Sequence, residues 1–353
     1  MDFLRKENKN KILGIWYMVG VGMLLGQILL GGITRLTGSG LSITEWKAIL
    51  GFIPPMNEQA WNLAFIKYQQ FGQFKLVNTS MTLEQFKHIY FWEWFHRLWG
   101  RLIGIAALIP LIIFAIKRLV NKQDIFKIVI AIVLGGIAGI VGWIMVQSGL
   151  KQNTVLVNPV NLMSHIVVAT IIVAYVLYTG LGYLYPNRDK NDNKNKRIYF
   201  LLLILLVFIQ IALGALVAGS KAALICTTFP DMNGQFYPAA INFANTDVYE
   251  YSTKLLFQFL HRTNAYLIFI WVIFLFFITK KWNDIFEFQR TRWLLLIMVG
   301  IQLLLGIFTL LNSQGSIPVV LGVLHQLGAF LLLIFSIEGF YFISYKGKEQ
   351  KVV

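Results

Sequence analysis

Residues 93–116 read EWFHRLWGRLIGIAALIPLIIFAI, a stretch in which three ionisable side chains stand at the head of a long apolar run. Glu93 and His96 are three residues apart, so they share one face if the stretch is helical. The apolar part is close to the length of about 20 residues that a helix needs to cross a bilayer. The stretch therefore predicts a membrane helix with polar chemistry near one end.

The whole chain has the composition of a membrane protein. Of its 353 residues, 57% are hydrophobic and 13% are charged, and the mean hydropathy is +0.65. Soluble globular domains carry far more charge than this. The formal charge of +15 would suggest nucleic-acid binding in a soluble protein, but in a membrane protein the positive-inside rule explains it. We therefore expect membrane lipid, and no nucleic acid, around this chain.

Eight apolar segments are long enough to be transmembrane helices. The predicted spans are 12–33, 89–116, 125–147, 159–184, 198–218, 254–279, 292–312 and 317–344. About two-thirds of the lysines and arginines fall in the alternate connections that include both ends of the chain, which places both termini inside. The first span is long for a signal peptide and no cleavage motif follows it, so we expect it to remain as a helix.

The two longest connections, about 34–88 and 219–253, lie on the predicted outer side. The end of the first, from Leu83 to Tyr90, is compatible with an amphipathic helix on the membrane surface or with a solvated loop. Trp46, Trp61 and the prolines of this segment are candidates to hold it by packing.

The two halves of the chain repeat. The matching segments are 26–31 (GQILLG) with 209–214 (IQIALG), His96-Arg97 with His261-Arg262, and 163–165 with 323–325. Four spans separate the members of each pair, so the two copies have the same orientation in the membrane. We predict an all-α fold of two pseudo-symmetric four-helix bundles, residues 1–187 and 197–353, joined by an inner linker at 188–196.

Four of the five histidines lie within even-numbered spans, near the outer end of each. They are His96, His165, His261 and His325. Each lies about 10–13 Å below the outer boundary at the rise of a helix. Ionisable groups within spans are costly and are functional candidates by default, although any single one could be structural. The fifth, His88, falls at a loop edge, where a solvated side chain is expected.

Two imidazoles that face each other in a helical bundle suit the axial positions of a haem iron. Zinc usually takes a third or fourth protein ligand, often Cys or a carboxylate, and the only cysteine is Cys226, which also excludes an intramolecular disulfide. The repeat therefore predicts one haem in each half. Arg97 and Arg262 directly follow a ligand and are candidates for pairing with haem propionates, or for salt bridges within the bundle.

The halves differ at one position beside these ligands. Glu93 of the N-terminal half is replaced by Gln258 in the C-terminal half. A carboxylate one turn from a haem ligand can accept a proton or stabilise a developing cation, whereas an amide cannot take the proton. This difference predicts that the N-terminal half carries out the chemistry. The alternative is a structural ion pair between Glu93 and Arg97, at positions i and i+4 of one helix.

The chain resembles the haem A synthase family, in the form found in proteobacteria and mitochondria. The motifs that carry the resemblance are 31–43 (GGITRLTGSGLSI), 93–97, 163–165, 228–234 (TFPDMNG), 261–262 and 324–326. The resemblance implies that the protein oxidises the C8 methyl of haem O to the formyl group of haem A, by successive hydroxylation, for terminal oxidase assembly.

The same resemblance implies roles for individual residues. His261 and His325 match the ligands of a haem b cofactor, and His96 and His165 match the positions that hold the haem O substrate. Glu93 falls on the functionally important acid of the family. Some Gram-positive members carry a cysteine pair in an outer loop of each half, a feature that Cys226 alone cannot reproduce.

The resemblance also implies a location and partners. We expect an inner-membrane protein with its haem sites toward the periplasmic face. Haem O synthase, oxidase assembly factors and an unidentified electron donor are the expected partners.

Two other functions would use the same residues. A dihaem b-type cytochrome that passes electrons from quinol to a partner needs the four histidines but not Glu93. A transporter built on a parallel repeat would use the histidines as proton relays. The haems extracted from the purified protein distinguish all three functions.

Overall fold

The computed structural model describes residues 2–45, 50–186, 194–245, 247–282 and 284–344. Within these ranges the chain forms ten α-helices and no β-strand. The helices are α1 (Asp2–Leu36), α2 (Glu58–Gln69), α3 (Gly72–Leu76), α4 (Leu83–Ile116), α5 (Lys122–Gly149), α6 (Pro159–Leu184), α7 (Lys194–Gly219), α8 (Tyr251–Ile278), α9 (Phe286–Leu311) and α10 (Val319–Phe342). Most of the predicted linker 188–196, and Trp46, lie outside the described residues.

Eight helices of the described chain are long and apolar enough to cross a bilayer. They are α1 and α4 to α10, and each of the eight predicted spans falls on one of them. The prediction of an all-α membrane protein with eight transmembrane helices is therefore confirmed. The placement of the termini inside and the pseudo-symmetry of the halves stay predictions.

The membrane helices make two groups of neighbours. In the first group α1 packs against α4 and α6, and α5 packs against the same two helices. In the second group α7 packs against α8 and α10, and α9 packs against the same two. The groups meet where α1 contacts α10 and where α6 contacts both α7 and α10. The central helices α1, α6, α7 and α10 are consequently richer in buried side chains than α4 and α5.

Local sequence determines where the membrane helices begin. Thr82 and Gln85 bond to each other's backbone N–H groups at the start of α4, and Asn121 and Asp124 do the same at the start of α5. Asn158 accepts hydrogen bonds from the backbone at the start of α6. These caps satisfy N–H groups that the first turn of a helix leaves without a partner.

The segment from Leu83 to Tyr90 is helical, so the solvated loop is wrong. The predicted helix is present, but as the beginning of the transmembrane helix α4. The reason is that Phe86 is fully buried within this segment. Trp61 packs on Phe86 and Tyr90, with ring centroids 6.5 and 5.1 Å apart. Aromatic packing from the preceding segment thus covers this end of α4, and the packing role predicted for Trp61 is confirmed.

The first outer segment also holds α2 and α3, which the hydropathy pattern did not predict. Asn57 caps α2 by accepting a hydrogen bond from the backbone of Ala60 at 2.8 Å. Tyr68 at its end is fully buried, and its hydroxyl donates to Gln73 at 3.1 Å and accepts from Asn78 at 2.7 Å. Burial raises the pKa of Tyr68 above the ordinary value of a phenol. This segment is therefore a packed cap over the outer ends of the helices.

A polar network joins α1, α5 and α6 at the opposite, predicted inner end. Asp124 accepts from Lys9 at 2.5 Å and from the hydroxyl of Tyr183 at 2.6 Å, and only 7% of its side chain is exposed. The same carboxylate caps α5. Asp124 thus fixes the positions of three helices relative to one another.

We expect Asp124→Ala to lower the free energy of unfolding by about 3 kcal/mol, because it leaves Lys9 and Tyr183 without their partner and removes a helix cap. Thermal unfolding in detergent, followed by the exposure of the buried thiol of Cys226 to a fluorescent reagent, measures the effect. The matched control is Glu84→Ala, which removes an ion pair with Lys87 on the exposed surface and should change little. Equal losses in the two variants would contradict the prediction.

Candidate functional site

Each of the four membrane histidines lies against a glycine of the preceding membrane helix. The pairs are His96 with Gly31, His165 with Gly142, His261 with Gly214, and His325 with Gly306. A methyl group placed on any of these glycines would lie 2.9–3.1 Å from the Cε1 atom of its imidazole. Carbon atoms in contact are normally about 3.5–4 Å apart. Glycine at these positions therefore gives the rings their place between the helices.

The backbone of the residue one turn before each glycine lies next to the same imidazole ring. These residues are Gln27, Ala138, Gln210 and Gln302. The sequence repeat contains the first and third of them, but it gave no reason for a Gln-x-x-x-Gly pattern. The structure supplies the reason, because the pattern lines one side of an imidazole.

The glutamine side chains of this pattern also contact the histidines. The amide nitrogen of Gln27 is 3.3 Å from Nε2 of His96, and that of Gln210 is 3.3 Å from Nε2 of His261. Gln302 donates instead to the backbone carbonyl of its histidine at 2.9 Å. Two of the four rings are thus contacted by an amide as well as by a glycine.

His261 and His325 approach each other across the C-terminal half. Their ring centroids are 6.3 Å apart and the ring planes are inclined by 80°. A metal bound to two imidazole nitrogens at about 2 Å each would hold the ring centroids roughly 6 Å apart. In the N-terminal half His96 and His165 are close enough to interact electrostatically. The geometry of the C-terminal pair therefore fits two axial ligands of one iron.

The hydrogen bonding of the four rings fits the same ligand. The Nδ1 atoms of all four are buried and make no hydrogen bond of good geometry, although the backbone one turn before each glycine lies beside the ring. Ligation of one ring nitrogen determines which nitrogen carries the proton. Among the described residues no three His, Cys, Asp or Glu side chains are grouped to hold a metal. Each half thus offers two nitrogen ligands, the number of axial positions of a haem iron.

Glu93 is buried beside this site, with 2% of the residue exposed. One carboxylate oxygen accepts from the hydroxyl of Ser42 at 2.7 Å and from the backbone N–H of Ile43 at 2.8 Å. The other accepts from Arg97 at 2.5 Å. Three donors compensate the charge of a carboxylate that has lost its water. The ion pair that the sequence offered as an alternative is therefore present.

Arg97 completes the attachment of the outer segment to α4. Its guanidinium also donates to the carbonyl of Ile43 at 3.0 Å and to that of Glu45 at 3.2 Å. The carboxylate of Glu93 accepts hydrogen bonds from the N–H and O–H groups of the segment, and the guanidinium of Arg97 donates hydrogen bonds to its carbonyls. Together they fasten residues 42–45 over the end of the N-terminal half.

The same two positions fasten the outer segment of the C-terminal half. Gln258 donates to the carbonyl of Cys226 at 2.9 Å. Arg262 donates to the carbonyls of Cys226, Thr228 and Asp231 at 3.2, 2.9 and 2.8 Å. The motif therefore has a structural function in both halves, and the carboxylate charge is an additional feature of the first half alone.

The pairing of Arg97 and Arg262 with propionates stays a prediction. Backbone carbonyls take up the terminal nitrogens of both guanidinium groups. The Nε atom of Arg262 is buried without a partner, so this residue retains one donor for a ligand.

The glutamines beside the rings are held differently in the two halves. The side-chain oxygen of Gln210 accepts from Asn264 at 2.8 Å. At the matching position of the first half stands Trp99, whose indole N–H donates to the backbone carbonyl of Met23 at 2.8 Å. The side-chain oxygen of Gln27 is consequently buried without a partner. The difference is confined to this pair of glutamines, because the side-chain oxygen of Gln302 in the C-terminal half is also buried without a partner.

Two other residues that the sequence singled out lie apart from the rings. His88 is exposed on the first turns of α4, which confirms the expected solvated side chain. Cys226 is a buried free cysteine. Its backbone carbonyl accepts from Gln258 and Arg262, and its sulfur accepts from Arg262 at 3.9 Å.

Comparisons with known proteins agree over nearly the whole chain. Residues 14–337 match the family COX15-CtaA, described as a cytochrome oxidase assembly protein. A relative from Caulobacter sp. strain K31, named Heme A synthase, is 38% identical over 336 residues, which cover 94% of this chain and 96% of the relative. Proteins of the same name from Bartonella quintana and Flavobacterium johnsoniae are 38% and 37% identical, over 95% and 94% of this chain and 92% and 96% of their own lengths.

We expect Gly306→Ala to weaken ligand binding in the C-terminal half by about tenfold, because the methyl group displaces the ring of His325. Haem content per protein, measured from the pyridine haemochrome spectrum, reports the effect. Gly300→Ala is the matched control on the same helix, since no atom lies within 4 Å of its added methyl group. Equal haem content in the two variants would show that the glycine contact does not position the ring.

Proposed function

Since this chain belongs to the COX15-CtaA family of cytochrome oxidase assembly proteins, we propose that it acts as a haem A synthase. The observation that carries the proposal is the set of two histidine pairs, of which only one has a buried carboxylate beside it. Relatives that bear the name Heme A synthase match the chain over its membrane helices and outer segments alike, which supports the same conclusion.

The proposed reaction oxidises the C8 methyl of haem O to the formyl group of haem A. The carbon loses four electrons overall, in two hydroxylations that each replace a C–H bond by a C–OH bond. The gem-diol that results loses water to give the aldehyde. A haem b bound in the C-terminal half would supply the one-electron chemistry.

We assign the substrate to the N-terminal half and the cofactor to the C-terminal half. His96 and His165 would hold the iron of haem O, and His261 and His325 that of haem b. The fully bonded amide of Gln210 in the C-terminal half suits a permanent ligand. The unsatisfied oxygen of its counterpart in the N-terminal half suits a ligand that binds and leaves.

Glu93 is the proposed catalytic residue. Its charge would stabilise positive charge that develops on the substrate, or one of its carboxylate oxygens would accept a proton. Ser42 and Arg97 hold both oxygens in fixed directions, so the carboxylate is oriented before the substrate arrives. Gln258 fills the same structural position in the other half but cannot take a proton.

The proposed location is the inner membrane, with both sites toward the periplasmic face. The eight apolar helices and the basic inner connections support this placement. Haem O synthase would supply the substrate, oxidase assembly factors would receive the product, and a separate electron carrier would complete the redox chemistry.

A dihaem b-type cytochrome is the second candidate function. The observation in its favour is that Glu93 and Gln258 both fasten an outer segment, so the carboxylate has a structural role without catalysis. In that protein both haems would be permanent and of the b type.

Extraction and chromatographic typing of the haems tests the assignment of the halves. We expect His261→Ala to lose haem b and His96→Ala to lose haem O and haem A, because each variant removes an axial ligand from one half. A wild-type protein with two haem b and no haem O or haem A would identify the dihaem cytochrome. A colourless wild-type protein would instead favour a transporter.

Glu93→Gln should leave both haems bound and reduce haem A formation at least about 100-fold, because the amide keeps the shape but not the proton acceptor. Haem A is measured by chromatography after haem O turnover. Glu58→Gln, on the exposed outer segment, is the matched control. Normal output of haem A from Glu93→Gln would remove the carboxylate from the mechanism.

A further inference from the structure

The guanidinium of Arg35 has few hydrogen-bond acceptors among the described residues. It lies in the last turn of α1, surrounded by protein, yet it keeps some accessible surface. Within the described residues its one hydrogen bond goes from Nη1 to the carbonyl of Ala218 at 3.4 Å, which is long for such a bond. None of the carboxylates in the described part of the chain lies within ion-pair distance of it.

The helix ends account for part of this placement. Arg35 and Ala218 are in the last turns of α1 and α7, so the guanidinium lies at the negative ends of two helix dipoles. Each such end stabilises a cation by about 0.3–1 kcal/mol. A guanidinium has five N–H donors, however, and only one of those of Arg35 has an acceptor among the residues that the structure describes.

The contact between Arg35 and Ala218 lies between the two histidine sites. Arg35 is one helical turn beyond the glycine that contacts His96, and Ala218 is one turn beyond the glycine that contacts His261. These two positions match each other in the repeat of the halves. A single arginine therefore stands beside both sites, opposite an alanine that leaves it room.

The neighbouring turn of α1 contacts α10 at the residue that follows His325. Gln326, which follows His325, donates to the carbonyl of Ile28 at 2.9 Å. A methyl group on Gly32 would lie 3.4 Å from the same glutamine side chain. Arg35 is thus one turn away from the point where α1 and α10 meet at the C-terminal site.

We propose that Arg35 binds a porphyrin carboxylate at the seam between the two bundles. The inference rests on the proposed function only in that haems occupy the histidine pairs. A carboxylate matches the guanidinium in charge and in its planar, two-pronged geometry. The propionates of haem b in one half and of haem O in the other supply this chemistry, and both sites lie within reach of the same cation.

Reconstitution of the full-length, haem-depleted protein with iron protoporphyrin IX, or with its dimethyl ester, tests the contact. The wild type should bind the free acid at least about tenfold more tightly than the ester, because esterification removes the charge that Arg35 pairs with. In Arg35→Gln this preference should fall by about tenfold. Arg35→Lys keeps the charge but lacks the planar, two-pronged geometry of the guanidinium, and it should give an intermediate preference for the free acid over the ester.

The matched control is Arg290→Gln, which removes an arginine from an ion pair with Glu338 and should keep the wild-type preference. The same titration with Arg35→Gln in the His96→Ala or His261→Ala background shows which haem supplies the carboxylate. A loss of preference in either background supports the proposal. An unchanged preference in both, with or without altered lipid binding, overturns it.

The outcome is independent of catalysis. Failure of the wild type to convert haem O to haem A would refute the proposed function and leave the preference for free carboxylates measurable. An unchanged preference in Arg35→Gln, with normal haem A formation, would refute only the role of Arg35.

Discussion

A polar side chain within a bilayer has no water to bond to, so its partners have to come from the protein itself. This constraint explains why the site is built as it is. Glu93 takes three donors from its surroundings, and Gln210 is bonded to Asn264. Some buried polar atoms remain without a partner, among them Nδ1 of the four imidazoles and the side-chain oxygens of Gln27 and Gln302.

The halves share one construction and differ in its chemistry. Both use a glycine to seat an imidazole and an arginine to fasten an outer segment to the helix that carries it. The differences fall on the side chains beside this frame. Gln258 occupies the position that matches Glu93, and Asn264 occupies the position that matches Trp99. The two proposed macrocycles would thus be held in similar ways, and only one of them would lie beside an acid.

The sequence was sufficient for the membrane helices and for the approach of His261 and His325, because hydropathy and the internal repeat report on both directly. It failed where tertiary packing decides the outcome. Buried Phe86 extends α4 beyond the apolar run, and α2 and α3 are too polar to stand out in hydropathy. The roles of Gly142 and Gly306 also escaped notice, since a glycine that makes room for a ring has no side chain to signal it.

The contact between α1 and α10 bears on how the protein is made. These are the first and last membrane helices in the described part of the chain, and they lie side by side at the centre of the fold. During synthesis α1 inserts into the bilayer long before α10 has been translated. Until then, the face of α1 that later contacts α10 is exposed to lipids or to transient protein partners. The hydrogen bond from Gln326 to Ile28 belongs to the helix–helix interface that forms last. Neither group of membrane helices therefore completes its packing until the other group has been inserted.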